Sequence, residues 1–263
     1  MSAVVAASNT APSRKRRVLA LRIAIVITVL ALWQVVSVSG WLFRDVVPSL
    51  TKIALAIGQL LTNPDFYSNL GITGYEIGIA LLIGGISGLA VGITLGANRF
   101  LSDAFEAILL YLGPTPKIIF FPVMIMWFGV GGGSKIAMGA MSCFFPIAIS
   151  AAAGMREIDR VLIKVGRSFR ASPWQMVTKI YLHAMREPIV NGLRLGLGVA
   201  VVGTLLAETK LSNRGLGYLV IQAYTLFDMP KMYALVIVLF VLAIGINVLL
   251  GRLRKQGVRE PKP

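Results

Sequence analysis

The chain has 263 residues, of which 56% are hydrophobic and only 14% are charged. Soluble domains usually carry about 25% charged residues, so this composition excludes an ordinary soluble domain and indicates a polytopic membrane protein. The formal net charge is +15, but the basic residues lie between and beyond apolar runs, which indicates membrane topology and no nucleic-acid partner. One cysteine and one histidine exclude an internal disulfide, and no metal site is expected.

Six apolar segments are each long enough to cross a hydrocarbon core of about 30 Å. The spans are predicted at about residues 18–38, 72–95, 104–129, 136–153, 189–206 and 232–250. Before the first span, residues 1–17 are predicted to form a disordered basic tail. The apolar stretch that follows is longer than the core of a signal peptide, so we expect a retained span. The sequence therefore predicts an all-α polytopic protein with one transmembrane domain over residues 18–250 and a basic tail over 251–263.

Pro48 is expected to start a short amphipathic helix between the first two spans, and Asn63-Pro64-Asp65 should end it. The second span carries glycines at spacings of four, which allow close helix packing in lipid: Gly74 and Gly78, then Gly84, Gly88 and Gly92. In the third span, Pro114 and Pro116 free backbone carbonyls at membrane depth. Such a break is tolerated only where protein or a water-filled cavity surrounds it.

The distribution of Lys and Arg predicts the orientation of the spans. Most of these residues lie before the first span, in the segment 156–187 or after the last span. The positive-inside rule then predicts that both termini and the segment 156–187 are cytoplasmic.

Residues 156–187 form a polar segment between two apolar runs, and the segment is too short for a core of its own. Ser172, Pro173 and Gln175 predict a capping box that starts a helix at Pro173. The preceding helix should end near Arg170 or Ala171, because a residue before proline is disfavoured in the α region. A docking surface is one interpretation; two amphipathic helices lying on the membrane surface are the other.

Motifs for catalysis are missing. The chain has no G-x-x-x-x-G-K-[ST] loop for nucleotide hydrolysis, and its one histidine, His183, lies in the polar segment. Charges within apolar runs are few, namely Glu76, Lys117, Arg194 and Glu208. Such charges are functional candidates, although they can also reach an interface or pair with another span. A proton-coupled carrier would normally hold more buried carboxylates, so the energy for any transport is expected to come from elsewhere.

The chain resembles the permease subunit of bacterial binding-protein-dependent ABC importers, in the group for nitrate, sulfonate, taurine and bicarbonate. The resemblance covers about residues 45–250, and its most specific pieces are Pro116–Gly129, Ser134-Lys135-Ile136, Phe144–Ile147, Gly192-Leu193-Arg194 and Asn213–Gly217. In that family the polar segment carries a coupling-helix motif, of which Ile180 and Leu182 match. Lys164-Val165-Gly166 stand where Glu-Ala-Ala is expected, Arg170 replaces the glycine and His183 the proline. The Ser172-Pro173 cap is expected to supply the turn instead of that glycine.

The resemblance implies a type I importer permease fold in the bacterial inner membrane. It implies a second, identical permease copy, membrane lipid around the spans, and a cytoplasmic ATPase subunit that uses ATP. It also implies a periplasmic binding protein that docks near residues 41–69 and 208–231. The chain itself would be no enzyme and hold no cofactor. The implied ATPase-coupling residues are Arg167, Ser168, Phe169, Arg170, Ala171, Ser172, Pro173 and Trp174. Candidates for the translocation pathway are Pro116, Lys117, Met124, Phe145 and Glu208, with Lys117 suited to an anionic solute.

Other functions remain open at this point. A stand-alone secondary transporter or channel would show internal repeats and intramembrane ion pairs, and no clear repeat is found. A membrane-embedded enzyme would need a cluster of His, Asp or Glu at one depth. A regulatory protein with the permease fold and weakened ATPase coupling is suggested by the altered motif.

Overall fold

The structure is a computed structural model that describes residues 11–40 and 46–255, and every regular element in these ranges is helical. The first part comprises α1 (Ala11–Ser39), α2 (Leu50–Thr62), α3 (Pro64–Ala97), α4 (Arg99–Leu112), a 3₁₀ turn (Lys117–Phe120), α5 (Phe121–Phe128) and α6 (Gly132–Arg156). The second part comprises α7 (Arg160–Ser168), α8 (Pro173–Gln175), a π-helical stretch (Met176–Tyr181), α9 (Leu182–Ala184), α10 (Arg186–Lys210), α11 (Leu216–Thr225) and α12 (Met229–Lys255).

Five helices of the described residues are long and apolar enough to cross a membrane, namely α1, α3, α6, α10 and α12. The sixth candidate span is a bent pair, in which α4 meets the helical residues 117–128 at 91°. The predicted all-α fold with about six spans is therefore confirmed. The break predicted within the third span, residues 104–129, is present, because the chain turns sharply between Leu112 and Lys117.

The bend has a local chemical cause. Pro114 and Pro116 donate no backbone N–H, so carbonyls in the turn lose their helical partners. The Lys117 ammonium donates to the carbonyl of Thr115 at 3.2 Å and also to that of Gly113. This side chain therefore satisfies two carbonyls in the turn, where the helix is interrupted.

The centre of the molecule is α6, against which α3 and α10 pack. A Cβ added at Gly88 would lie 2.8 Å from the Phe144 carbonyl oxygen, and one at Gly84 or Gly92 would overlap a carbonyl of α6. The predicted close packing at these three glycines is confirmed. The same prediction is wrong for Gly74 and Gly78 within this chain, since no atom lies within 4 Å of a Cβ there.

Helix α10 packs on a neighbouring face of α6 and also contacts α3. Cys143 and Ile147 of α6 are fully buried with Ala200 of α10 in one apolar cluster. A Cβ at Gly196 would lie 2.6 Å from Ile147, so the small residue is what lets the two helices approach. The lone cysteine is thus a packed core residue, as its apolar sequence context suggests.

The ends of the chain differ from the predicted tails. Helix α1 begins at Ala11, before the predicted start of the first span, and α12 continues to Lys255. Lys and Arg are good helix formers, so a basic run next to a span extends the helix. The remaining parts of the predicted tails, residues 1–10 and 256–263, lie outside the described residues. Helix α2 starts at Leu50, two residues later than predicted, with the Ser49 hydroxyl accepting from the Lys52 N–H at 3.4 Å.

Candidate functional site

Residues 167–174, hereafter the corner segment, join α7 to α8. The capping box predicted for this segment is present: the Gln175 N–H donates to the Ser172 hydroxyl at 3.2 Å. In return, the Ser172 N–H donates to the Gln175 side-chain oxygen at 2.9 Å. The helix that follows therefore has a defined start, and the direction of the chain at Pro173 is fixed.

Arg170 makes the turn before that cap. Its φ of +53° lies in the left-handed region, which costs a residue with a Cβ about 1 kcal/mol or more. The Ala171 N–H donates to the Gly166 carbonyl at 3.1 Å, and the Arg170 N–H donates to the Arg167 carbonyl at 2.9 Å. These two bonds form a Schellman motif, the usual end of a helix at a glycine. The expectation that the serine cap replaces this left-handed turn is wrong, because the chain uses both.

The corner segment presents large apolar side chains to solvent. Phe169 is 83% exposed and Trp174 is 74% exposed, while only Ala171 of the segment is half-buried. A groove of about 340 Å³ lies beside Phe169, between Val165 of α7 and Ile180 of the π-helical stretch. Exposed aromatic side chains around a concave surface are typical of a protein contact.

The helical segments on either side of the corner segment pack on each other and on the ends of the spans. A Cβ at Gly166 would lie 2.6 Å from the sulfur of Met176, so the glycine lets α7 pack closely on the π-helical stretch. Further along, Ile158, Met155 of α6 and Met185 before α10 form one buried cluster. A displacement of the corner segment would therefore be transmitted to the ends of α6 and α10.

The structure brings two of the pathway candidates together. The Lys117 ammonium lies 5.0 Å from the centroid of the Phe145 ring, a cation–π distance, with Pro116 exposed just before it. Met124 is half-buried and packs with Phe121 and Met138 in a separate cluster. The bend between α4 and α5 thus holds a partly accessible cation beside an aromatic ring.

Glu208 is placed differently from the other candidates. It is fully buried in the chain. One carboxylate oxygen accepts from the Thr73 hydroxyl at 2.7 Å, and the other accepts from the Gly217 N–H at 2.6 Å. A carboxylate enclosed in this way holds the 211–217 turn against α3 and has no surface for a solute. Its predicted place on the pathway is therefore not reproduced within the chain.

Two buried charges near Glu208 form a group that sequence reasoning did not assemble. Glu76 is 5% exposed and Lys135 is 1% exposed, and the two attract each other electrostatically. The Lys135 ammonium donates to the Gly131 carbonyl at 3.0 Å and to that of Val130. The sequence contains part of the signal for this pair, because a carboxylate such as Glu76 within a membrane span needs a partner. The group borders a cavity of about 870 Å³ at the end of the helices opposite the corner segment.

Over residues 11–40 and 46–255, the all-helical body with about six candidate spans and a projecting aromatic corner defines a class, the multi-pass membrane transport subunit. The family model described as "Binding-protein-dependent transport system inner membrane component" matches residues 80–256. The chain belongs to this family.

Curated relatives agree with the match. The putative aliphatic sulfonates transport permease protein SsuC of Bacillus subtilis is 30% identical over 86% of this chain and 82% of its own length. The taurine transport system permease protein TauC of Escherichia coli is 30% identical over 76% of this chain and 74% of its own. The nitrate import permease protein NrtB of Synechococcus elongatus is 25% identical over 74% of this chain and 73% of its own length.

Among solved structures, a chain from an inward-facing MetNI methionine ABC transporter superposes with a TM-score of 0.66 at 22% identity. The superposition covers 73% of this chain and 96% of the other, and it shows that the fold is the type I importer permease fold. The predicted function as the permease subunit of an ABC importer is confirmed, and the findings do not support the stand-alone carrier, channel or regulatory alternative. Membership of the family implies a separate ATPase subunit and a binding protein as partners.

Proposed function

We propose that two copies of this chain form the translocation pathway of an inner-membrane importer for a small organic or inorganic anion. Each copy places its corner segment in a groove of a separate ATPase subunit, which binds and hydrolyses ATP. The chain itself carries no enzymatic activity and no cofactor. The observation that carries the proposal is the rigid corner segment with Phe169 83% and Trp174 74% exposed.

Movement of the ATPases would act on the spans through that corner segment. The buried cluster around Met155, Ile158 and Met185 includes Ile163 of α7 and Tyr181 of the π-helical stretch, so it joins the helical segments that flank the corner segment to α6 and α10. Closure of the ATPase dimer on ATP would push both corners as rigid bodies and switch the spans between inward-facing and outward-facing arrangements.

The coupling step is tested by truncating the exposed aromatic side chains. Phe169→Ala and Trp174→Ala should each reduce co-purification of the ATPase and solute-stimulated ATP hydrolysis at least tenfold, because buried aromatic anchors usually dominate an interface. Phe100→Ala is the matched control, since Phe100 is 78% exposed at the start of α4 outside the corner segment. Unchanged ATPase association in both corner variants would refute the proposed docking site.

The proposed orientation places both termini and the corner segment in the cytoplasm. The support is the concentration of Lys and Arg in these parts of the chain. A cytoplasm-active reporter inserted between Glu157 and Asp159 should be active, and one inserted after Ser212 should be inactive. The reverse pattern would overturn the orientation and the assignment of the corner segment to the ATPase.

The proposed substrate class rests on two observations. The names of three relatives specify aliphatic sulfonates, taurine and nitrate, and Lys117 presents a half-buried ammonium at the bend. Specificity in this arrangement would depend largely on the binding protein, with Lys117 attracting anions in the membrane section. Uptake of a radiolabelled alkanesulfonate by cells with the whole importer should fall with Lys117→Gln and be retained with Lys117→Arg. Equal loss in both variants would assign Lys117 to the structure of the bend.

The second permease copy is proposed to be identical. A tagged chain should co-purify an untagged chain when both are produced together, in equal amounts and with the ATPase. Recovery of the tagged chain with a different permease would indicate a heterodimer instead.

A further inference from the structure

Arg194 is a cation within the apolar helix α10, and its hydrogen-bond partner among the described residues is neutral. Its Nε and Nη2 atoms donate to the side-chain oxygen of Asn247 on α12, at 3.2 and 2.8 Å. Within the part of the chain that the structure describes, no carboxylate forms an ion pair with it. A guanidinium has five N–H donors, so three donors and the whole charge are available to a further partner. A charge in an apolar span usually has a counter-charge because of its cost there.

An apolar groove of about 340 Å³ leads to this arginine. The groove lies between α10, α11 and α12, and its polar end is Asn247, the residue that accepts from Arg194. Its walls are almost entirely aliphatic or aromatic and open to the outside of the molecule, where Val202 is 56% and Phe240 is 66% exposed. Gly198 lies in the wall, and no atom is within 4 Å of a Cβ built there.

The depth of the arginine suits the head-group region. Arg194 lies about 12 Å along α10 from Arg186, at a rise of about 1.5 Å per residue. Arg186 is on the side of the corner segment, and α10 with 25 residues is longer than the hydrocarbon core of about 30 Å. A guanidinium at this depth reaches the boundary between acyl chains and head groups by extending along the helix.

We propose that the groove and Arg194 bind one anionic phospholipid from the leaflet on the side of the corner segment. The phosphate accepts hydrogen bonds from the free edge of the guanidinium, and one acyl chain fills the groove. The planar fork of arginine matches two phosphate oxygens, and basic pockets between spans are typical sites for anionic head groups. The inference depends on the position of α10 and α12 and is independent of the transport function proposed above.

A helix of a second copy is the competing occupant of the groove. Helix α1 is exposed along most of its apolar length, so it is available for such a contact. However, the sequence of Ala11–Ser39 contains Arg22 and no Asp or Glu, so α1 would leave the charge of Arg194 uncompensated. Charge complementarity therefore favours the phospholipid.

Lipid binding is tested with the full chain in nanodiscs of phosphatidylcholine, titrated with phosphatidylglycerol and measured by native mass spectrometry. Arg194→Gln removes the charge and Gly198→Leu fills the groove, and each should weaken phosphatidylglycerol retention at least tenfold. Arg186→Gln is the matched control for charge, because Arg186 is exposed on the same helix. Gly245→Leu is the control for added volume, because Gly245 is exposed on α12 and is not part of the groove wall.

The result that supports the proposal is loss of retention in the two groove variants with normal retention in both controls. Wild-type retention by Arg194→Gln, or equal retention of phosphatidylcholine and phosphatidylglycerol by the wild-type chain, would overturn it. A Gly198→Cys variant gives a second measurement, since Cys143 is fully buried and will not compete for a crosslinker. Crosslinking of Cys at position 198 to a second copy of the chain would assign the groove to the dimer and also overturn the proposal.

Discussion

The Thr73 hydroxyl donates a 2.7 Å hydrogen bond to the Glu208 carboxylate, across 135 positions of sequence. The same hydroxyl accepts from the Leu216 N–H at 2.8 Å, so one threonine joins α3, α10 and α11. Gly217 completes the arrangement by donating its N–H to the second carboxylate oxygen at 2.6 Å. A buried carboxylate is tolerated here because each of its oxygens has a donor.

Replacing Glu208 with glutamine should therefore destabilise the outer turn. Only one side-chain oxygen remains to face two donors, and the new amide N–H₂ group is left against the N–H of Gly217 or the hydroxyl of Thr73. An unsatisfied buried polar group costs about 1–3 kcal/mol. The free energy of unfolding of Glu208→Gln, measured by denaturant titration in mixed micelles, should fall by that amount.

Glu157→Gln is the control for this measurement, because Glu157 is exposed between α6 and α7. It should change stability by no more than about 0.5 kcal/mol. An equally small effect of Glu208→Gln would show that the carboxylate charge is not used by the turn.

The glycines of α3 make a second, paired prediction. Gly88→Leu should prevent α3 from packing on α6, because a Cβ there already lies 2.8 Å from the Phe144 carbonyl. Gly78→Leu on the same helix should be tolerated, since nothing lies within 4 Å of its Cβ. Yield of monodisperse protein in size-exclusion chromatography would distinguish the two. A low yield of monodisperse protein for both variants would indicate that the Gly78 face of α3 packs on a second copy of the chain.

Comparison of the sequence-based predictions with the structure shows which features local sequence determines and which it does not. The capping box at Ser172 and the position of the bend at Pro114 and Pro116 depend on neighbours in sequence, and both are found. The packing of Gly88 follows from its spacing, but the same spacing at Gly78 gives no contact, because spacing does not specify which face of α3 meets α6. The role of Glu208 depends on Thr73, which is far away in sequence, so composition and pattern contain no signal for it.

The corner segment illustrates how a departure from a motif can leave the geometry intact. Arg170 stands where the family motif has glycine, and it nevertheless adopts φ +53°. Local sequence therefore predicts that Arg170 is unfavourable in this left-handed turn. The Schellman hydrogen bonds from the Arg170 and Ala171 N–H groups nevertheless stabilise the turn. The turn therefore has the left-handed backbone that glycine favours, while its side chain is a large cation.

Arg170→Gly should relieve the left-handed conformation. We expect an increase of about 1 kcal/mol in the free energy of unfolding, because glycine has no Cβ to strain the turn. Phe227→Gly is the matched control, since Phe227 has a φ of +57° and lies outside the corner segment. The two variants should gain similar stability, and only Arg170→Gly should alter the affinity for the ATPase. Destabilisation by Arg170→Gly would mean that the arginine side chain contributes more than its strain costs.

The last prediction concerns the attachment of α4 to the end of α6. The Arg156 guanidinium forms a bidentate ion pair with the Glu106 carboxylate, in which Nη2 lies 2.7 Å from Oε1 and Nη1 contacts Oε2. The same guanidinium donates to the Ser102 hydroxyl at 3.0 Å. Both charged side chains are partly screened by protein, with exposures of 40% and 32%. We expect a coupling energy of about 1 kcal/mol from a double-mutant cycle with Arg156→Ala and Glu106→Ala, and a reduction of this value in high salt.

The Arg99–Asp103 pair provides the comparison on the same helix, because its side chains are 4.0 Å apart and 96% and 75% exposed. Its coupling energy should be near zero, since a fully solvated pair gains little in water. If the two cycles give the same value, the pair between Arg156 and Glu106 does not hold α4 against α6. The position of the bend relative to α6 would then depend on Lys117 and the apolar contacts of Leu109, which is buried against Ala148 and Ala152.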